Sequence, residues 1–402
     1  MEKRDISRIL PKSELVESGY LESMLDNFST SYKLFWFKGI FAEVIKGNTE
    51  IPYRRIVARM IAAAWYPVNY YNLSLGVSDK LSDAIRYLHT GLGVAKEIRE
   101  DALVTVIEES GDKCLWKMIN GFTGMVPYRL IRPFYESEIQ YQKKSDLTFR
   151  DARVNAFIEQ CNRSDDGAAL YRLDRKNRKL TVSPKWALYI RTNAAIVEGW
   201  LNYKLIKYIQ ERNPNVPAIP FKLFAPTERD RNLSAQTKFW RKIQQEMPLY
   251  DLYTEREFNR TNFDRYGKFS IDHFIPWSFV LHNEIWNLYP MFGKLNSAKS
   301  DRLPDKERYL ARFCDRQYEA FLVAKKWDGE FQNLKEQYLN VKRDIFEIAY
   351  SDRGHDAFVR AMRQTIEPLY QIANNQGFGI WWYEEEKEQE QEEQFWCSNK
   401  RV

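Results

Sequence analysis

Apolar residues recur every three or four positions over residues 32–45 and again over 56–65, the spacing that lines one face of a helix. Gly47, Asn48 and Thr49 precede Pro52 and predict a turn between the two. Shorter helical pieces follow at 82–88 and 104–107. Residues 168–173 and 180–182 instead favour strands, with the run Asp174-Arg-Lys-Asn-Arg-Lys between them, and predict a hairpin. A long helix is expected from 184 or 186 to about 211. Three prolines, Pro214, Pro217 and Pro220, then resist both helix and central strand, and 213–227 is read as a linker. Helical spacing resumes at 236–246, 305–327, 331–350 and 356–374.

One stretch breaks this helical pattern, residues 271–304. Residues 269–274 read as a strand, 285–289 as a second strand, and 295–300 as a helix after Gly293. The result is a small ββα unit. It carries Asp272 and His273 together, Asn287 fourteen residues after His273, Asn296 nine further on, and then Lys299 and Arg302. An acid, a base, amide oxygens and cations at this spacing are the parts needed to hydrolyse a phosphodiester with one metal ion.

Composition narrows the class. The chain has 402 residues, 44% hydrophobic and 15% aromatic, enough for more than one packed core. No apolar run reaches the roughly 18 residues a membrane helix needs, and the N-terminus lacks the apolar core of a secretion signal, so a cytoplasmic protein with no membrane partner is expected. Cys114, Cys161, Cys314 and Cys397 form no CxxC pair, which argues against a zinc knuckle. The net charge is +6, and residues 384–402 hold seven Glu against two Lys and one Arg. A basic body with an acidic tail suits a nucleic-acid binder. Arg172, Arg175, Lys176, Arg178 and Lys179 are five cations within eight positions at the hairpin, able to grip phosphates or simply to be a solvated turn. The aromatic run from Trp65 to Asn72 could stack on bases, though packing between helices is the commoner use of such rings.

The stretch from Ile271 to Pro304 resembles the HNH nuclease family, in its branch ending in Asn, which includes the HNH domain of RNA-guided CRISPR effector nucleases. The shared frame here is Asp272-His273-x-x-Pro276-x-Ser278-Phe279, then a hydrophobic strand holding Asn287, then Asn296-x-x-Lys299-Ser300-Asp301. The resemblance implies a ββα-metal fold in which His273 is the general base and Asp272 and Asn296 hold one Mg²⁺ (or Mn²⁺). It also implies that Asn287 braces the loop bearing the base and that Lys299 contacts phosphate, with Arg302 joining it. Oxygen ligands of this kind favour Mg²⁺ or Mn²⁺ over zinc. His282 lies in the loop between the strands but is not needed to complete the set. His355 reads as a helix-start residue and His89 as a residue without identifiable partners. Unlike many of these nucleases, the chain has no CxxC before the first His. Around Tyr250, packing by Tyr253, Phe258 and Phe263 is expected to replace a zinc clamp.

The expected fold is therefore mainly α. Residues 1–135 form a helical region for recognition or partner docking. Residues 136–213 form a mixed region with the basic hairpin, and 214–247 a linker and lead-in helix. The HNH module covers 248–304, C-terminal helices 305–378, and an acidic tail 379–402. The expected function is a metal-dependent HNH endonuclease cutting DNA, in defence against foreign DNA by family association. RNA is an open alternative substrate. From another class, the chain could be a nucleic-acid-binding or scaffold subunit, with an ATPase as one candidate partner, whose nuclease is silent until triggered.

Overall fold

The computed structural model describes residues 10–26, 29–146, 148–150, 152–163, 167–349 and 353–384. The acidic run from 385 onward, with Cys397, lies outside these residues. The fold is mainly α. It divides into two compact units, one of residues 1–214 with 219–225, the other of 215–218 with 226–402. No helix among the described residues is long and apolar enough to cross a membrane.

The first unit is built around the helix Tyr32–Ile45, which is apolar on most of its circumference and buries Phe35, Trp36, Phe37, Ile40 and Val44. It packs on the helix Tyr53–Trp65. Gly39 permits the close crossing, since a Cβ there would stand 3.0 Å from the Ile56 carbonyl oxygen. Glu43 and Arg59 meet in this interface at 2.7 Å, and Arg59 also reaches Asp101 at 2.7 Å. A buried guanidinium is tolerated because carboxylates surround it. The helix then continues as a π-turn, Tyr66–Tyr70. Trp65, Tyr70 and Tyr71 of the aromatic run are buried, so these rings are core and offer bases no platform.

The expected hairpin is present, β2 (Tyr171–Asp174) against β3 (Lys179–Val182), but it is part of a three-stranded antiparallel sheet. The third strand is β1 (Glu50–Pro52), read from sequence as a turn, and it pairs Ile51 with Leu180. Three residues are too few to show a period of two. The helix expected over 184–211 is two helices, Pro184–Thr192 and Ala194–Arg212, parted at Asn193, whose Nδ2 bonds the Tyr189 carbonyl. An asparagine side chain competes with the helical ladder in this way.

The second unit packs a two-stranded antiparallel ribbon among helices. β4 (Phe269–His273) pairs with β5 (Leu288–Phe292), Asp272 standing opposite Tyr289 and His273 opposite Leu288. The second strand thus starts three residues later than expected, because Ile285–Asn287 forms a 3₁₀ turn. The helix Gly293–Lys299 follows directly. The helix Ser234–Glu246 brings Trp240 against Tyr289, ring centres 5.0 Å apart, and Lys306–Ala324 stacks Phe313 on Phe274 at 4.3 Å. Gln317, fully buried on that second helix, donates from Nε2 to the Leu288 carbonyl at 2.7 Å and accepts from Tyr338 Oη at 2.6 Å. The helix expected over 331–350 is broken into Gln332–Lys335, a 3₁₀ turn Glu336–Asn340 and Ile345–Ile348. Gly354–Asn375 closes the unit over Lys306–Ala324.

Candidate active site

β4 sorts its side chains by the strand period. Ile271 and His273 are buried on one face, and Ser270 and Asp272 lie on the other. The helix Gly293–Lys299 lies across that second face. Its approach is tight: Gly293 N donates to the Lys268 carbonyl at 2.8 Å, and a Cβ on Gly293 would stand 3.1 Å from that oxygen. Asn296 and Lys299 are one turn apart and share a helix face. Asn296 Nδ2 donates to Ser270 Oγ at 2.8 Å, and Lys299 Nζ lies 2.9 Å from Asp272 Oδ2. Two residues on the strand are thus matched to two on the helix, and the acid and the amide are brought to one seam.

Lys299 is fully buried, and its ammonium also donates to the His273 carbonyl at 3.0 Å. In this arrangement its ammonium is engaged by Asp272 and the His273 carbonyl. Burial pushes the Asp272 carboxyl upward, and the Lys299 charge opposes that push. Lys299 is a counter-ion that positions Asp272. Arg302 is likewise turned inward: its guanidinium donates to the Ala298 carbonyl and, at 3.2 Å, to that of Lys299. It caps the carbonyl end of the helix.

Asn287 is fully buried and bonds in both directions to one residue, Oδ1 accepting from Ile275 N at 2.8 Å and Nδ2 donating to Ile275 O at 2.9 Å. Its own carbonyl accepts from Phe274 N at 2.8 Å. The side chain thereby extends the ladder one step past the end of β5. It fixes the backbone immediately after His273.

His273 is only 9% exposed, and its ring is held by a residue that the sequence reading did not single out. Asn283 Nδ2 donates to the Asp230 carbonyl at 2.9 Å, and Oδ1 faces His273 Nε2 at 3.1 Å. A carbonyl can only accept, so the bond to Asp230 fixes which end of the amide is which. His273 Nε2 then donates to Asn283 Oδ1, and the ring also bonds the His282 backbone. Gln236 completes the arrangement by donating to the Asn283 carbonyl at 2.9 Å. Burial, the larger cause, pushes His273 down to about 3, and the Lys299 charge adds to it, so the ring is neutral. A polar residue beside a histidine in an irregular loop is too common to have been picked out.

The missing zinc clamp has a substitute in a single carboxylate. Asp251, buried, accepts at Oδ1 from Tyr253 N, Thr254 N and Thr254 Oγ1 at 3.0, 2.8 and 2.9 Å, and at Oδ2 from Phe292 N at 3.2 Å. It ties the loop before β4 to the end of β5. Phe258 packs against Phe263, Phe269 and Phe292, and Tyr253 against Tyr309 and Trp381, so the expected aromatic packing accompanies this staple.

The other expected contacts are dispersed. His282 Nδ1 accepts weakly from Glu284 N and its ring packs on Trp286. His355 pairs with Asp315 at 3.0 Å, and His89 bonds the Val94 carbonyl. At the hairpin, Lys179 pairs with Glu50 at 2.6 Å, Arg178 bonds Asn120 Oδ1 at 2.6 Å and Arg175 lies 3.7 Å from Glu159. Neighbouring side chains thus engage three of its cations. Lys176 is exposed at the tip.

Asp272 and Asn296 fit a hard divalent ion. One is a carboxylate paired with Lys299, and the other is an amide whose nitrogen is committed to Ser270, which leaves its oxygen as the donor. Among the described residues no three His, Cys, Asp or Glu side chains cluster as a metal site, so an ion here has no all-protein cage. No curated protein and no solved structure matches the chain. Residues 251–305, from the Asp251 staple through both strands and the helix, match the family model described as HNH endonuclease, and the likeness is confined to this segment of a longer helical chain.

Proposed function

We propose that the chain is a metal-dependent endonuclease that hydrolyses DNA phosphodiesters at the seam between β4 and the helix Gly293–Lys299. What supports this most is the pairing of strand to helix through Ser270–Asn296 and Asp272–Lys299, which brings an anionic oxygen and an amide oxygen to one seam on the strand that also carries His273. In this reading His273 Nδ1 takes a proton from water, because Asn283 commits Nε2 as a donor. An anionic phosphate brought beside the neutral ring raises its basicity. The resulting hydroxide attacks phosphorus in line with the departing 3′ oxygen. Asp272 and Asn296 would hold Mg²⁺ or Mn²⁺, which when bound neutralises charge on the phosphate and the leaving oxygen. Asn287 keeps the backbone after His273 fixed while the strand is cut.

The test is cleavage of supercoiled plasmid by purified protein with Mg²⁺, beside a folded His273→Ala variant. Cutting that is lost in the variant supports the reading, and cutting that persists in it overturns the assignment of the base. Loss of cutting on chelation, restored by Mg²⁺ or Mn²⁺, tests the ion. A role in defence against foreign DNA is the biological setting proposed for it.

One observation favours a second reading. His273 is 9% exposed and Lys299 already neutralises Asp272, a resting arrangement that a partner could open. A chain silent alone but active with a partner protein, an ATPase among the candidates, would be the triggered nuclease of that reading.

A further inference from the structure

Within the first unit, a cleft of about 650 Å³ gathers polar groups from separate parts of the chain. Tyr53 is the first residue of the helix Tyr53–Trp65, Tyr128 lies on the helix Val126–Ile131, and Glu159 lies on the helix Ala152–Arg163. Tyr53 is 5% exposed, and its ring meets Trp36 edge to face at 5.8 Å. Its backbone N donates to the Arg178 carbonyl at 2.8 Å, so both ends of the residue are anchored. Its hydroxyl is nevertheless buried without a hydrogen-bond partner among the described residues. A buried polar atom in a folded protein is nearly always met by protein, water or ligand. Burial raises the Tyr53 phenol far above its ordinary range, and Tyr128 and Glu159 add to the rise. Burial raises Tyr128 in the same way. Both hydroxyls therefore keep their protons, and each can donate as well as accept.

Glu159 is half-buried in the same wall. Its Oε1 accepts from Arg163 at 2.9 Å, whereas Oε2 meets longer contacts, 3.5 Å to Tyr128 Oη and 3.7 Å to Arg175. A carboxylate oxygen with contacts this long keeps capacity to accept. Gly124, Met125 and Ala156 give the cleft apolar sides, and the Met125 sulfur is held by Asn155 Nδ2 at 3.1 Å. An unpartnered hydroxyl near an accepting carboxylate, between apolar sides, matches a flat ligand whose edge sets an acceptor beside donors. Guanine has that edge, with O6 accepting and N1–H and N2–H₂ donating. Adenine inverts it, placing an amino donor where guanine has O6 and a lone pair where guanine has N1–H. The volume is in the range of sites that enclose small ligands, with room for a base and its sugar.

We propose that this cleft receives a guanine base, of a free nucleotide or of an unpaired nucleic-acid strand, with Tyr53 Oη donating to O6 and Glu159 accepting from N1–H and N2–H₂. The cleft shares no residue with the nuclease seam, so it does not depend on that reading. Guanosine and adenosine monophosphates are titrated into the full-length protein by calorimetry, without divalent metal. Fluorescence anisotropy follows a labelled dA strand carrying a single dG, beside the all-dA strand. The expected result is saturable binding of a guanine probe, about tenfold or more tighter than its adenine counterpart. Tyr53→Phe deletes the hydroxyl and keeps the ring on Trp36. It should bind guanine about tenfold more weakly, while its midpoint in denaturant holds or rises because the buried orphan is gone. Glu159→Gln should lose the preference for guanine over adenine. Tighter binding of the monophosphate identifies a free nucleotide, and tighter binding of the dG strand identifies nucleic acid. Failure of both guanine probes, equal affinity for guanine and adenine, native affinity in Tyr53→Phe or an unchanged preference in Glu159→Gln would each overturn the proposal.

Discussion

The side-chain amide of Asn287 and the backbone of Ile275 form a closed two-way pair, at 2.8 and 2.9 Å, in a site without solvent. Asn287→Ala removes both bonds and leaves a buried N–H and C=O of Ile275 without partners. Each orphaned group costs about 1–3 kcal/mol, so the second unit should lose roughly 2–6 kcal/mol of stability. The loss should appear as a lower midpoint in denaturant melts. Cleavage should fall further than stability explains, because the released backbone follows His273 directly. A variant as stable and as active as the native chain would remove the brace from the account.

Lys299 and Asp272 form a buried ion pair, and the two charges stand or fall together. Lys299→Met leaves Asp272 buried and uncompensated, a change of the kind that costs about 3–5 kcal/mol. The double variant Asp272→Asn with Lys299→Met should regain much of that stability without regaining activity. A double-mutant cycle in chemical denaturation gives the coupling directly. Because Lys299 is wholly buried, Lys299→Met should leave the salt dependence of DNA binding unchanged, in contrast to a phosphate contact.

Sequence carried the mainly helical class, the ββα unit and the positions of Asp272, His273, Asn287 and Asn296, because period and spacing are local properties. What it hid was set by tertiary context. Lys299 and Arg302 read as phosphate-facing cations, but the crossing of the helix Gly293–Lys299 over β4 buries Lys299, and Arg302, just beyond the helix, folds back onto its end. β1 escaped notice because three residues carry no period, although pairing with β3 makes them a strand. At the basic hairpin, Glu50, Asn120 and Glu159 come from remote parts of the chain to meet Lys179, Arg178 and Arg175, partners that local spacing does not show.

Asn283 connects the Asp230 carbonyl to His273 Nε2, and its removal should act on the ring before it acts on the fold. Asn283→Leu should lower cleavage about 10–100-fold, the scale on which losing the hydrogen bond that orients a metal-bound histidine acts. Asn283→Asp keeps an acceptor for Nε2–H and should retain more activity than the leucine variant. Nitrogen-15 shifts of the His273 ring give an independent reading: the native protein should show the Nε2–H tautomer, and Asn283→Leu a mixture. An Nδ1–H tautomer in the native protein would contradict the placement of the lone pair.

Asp251 does by hydrogen bonding what a zinc clamp does by coordination, with four donors converging on one buried carboxylate. If that is its work, the second unit should be indifferent to zinc. Chelators of soft metals should leave its melting midpoint unchanged. Asp251→Ala frees Tyr253 N, Thr254 N and Phe292 N together, and should cost about 3 kcal/mol or more, since bonds to a charged acceptor are each worth about 1.5–3 kcal/mol. Asp251→Asn separates geometry from charge. It keeps one oxygen for the Tyr253 and Thr254 donors but turns an amide nitrogen toward Phe292 N, so its loss should fall between those of the native chain and the alanine variant. Equal losses in the two variants would mean that the Phe292 contact alone carries the staple, and no loss in either would return the task to the aromatic cluster around Phe258.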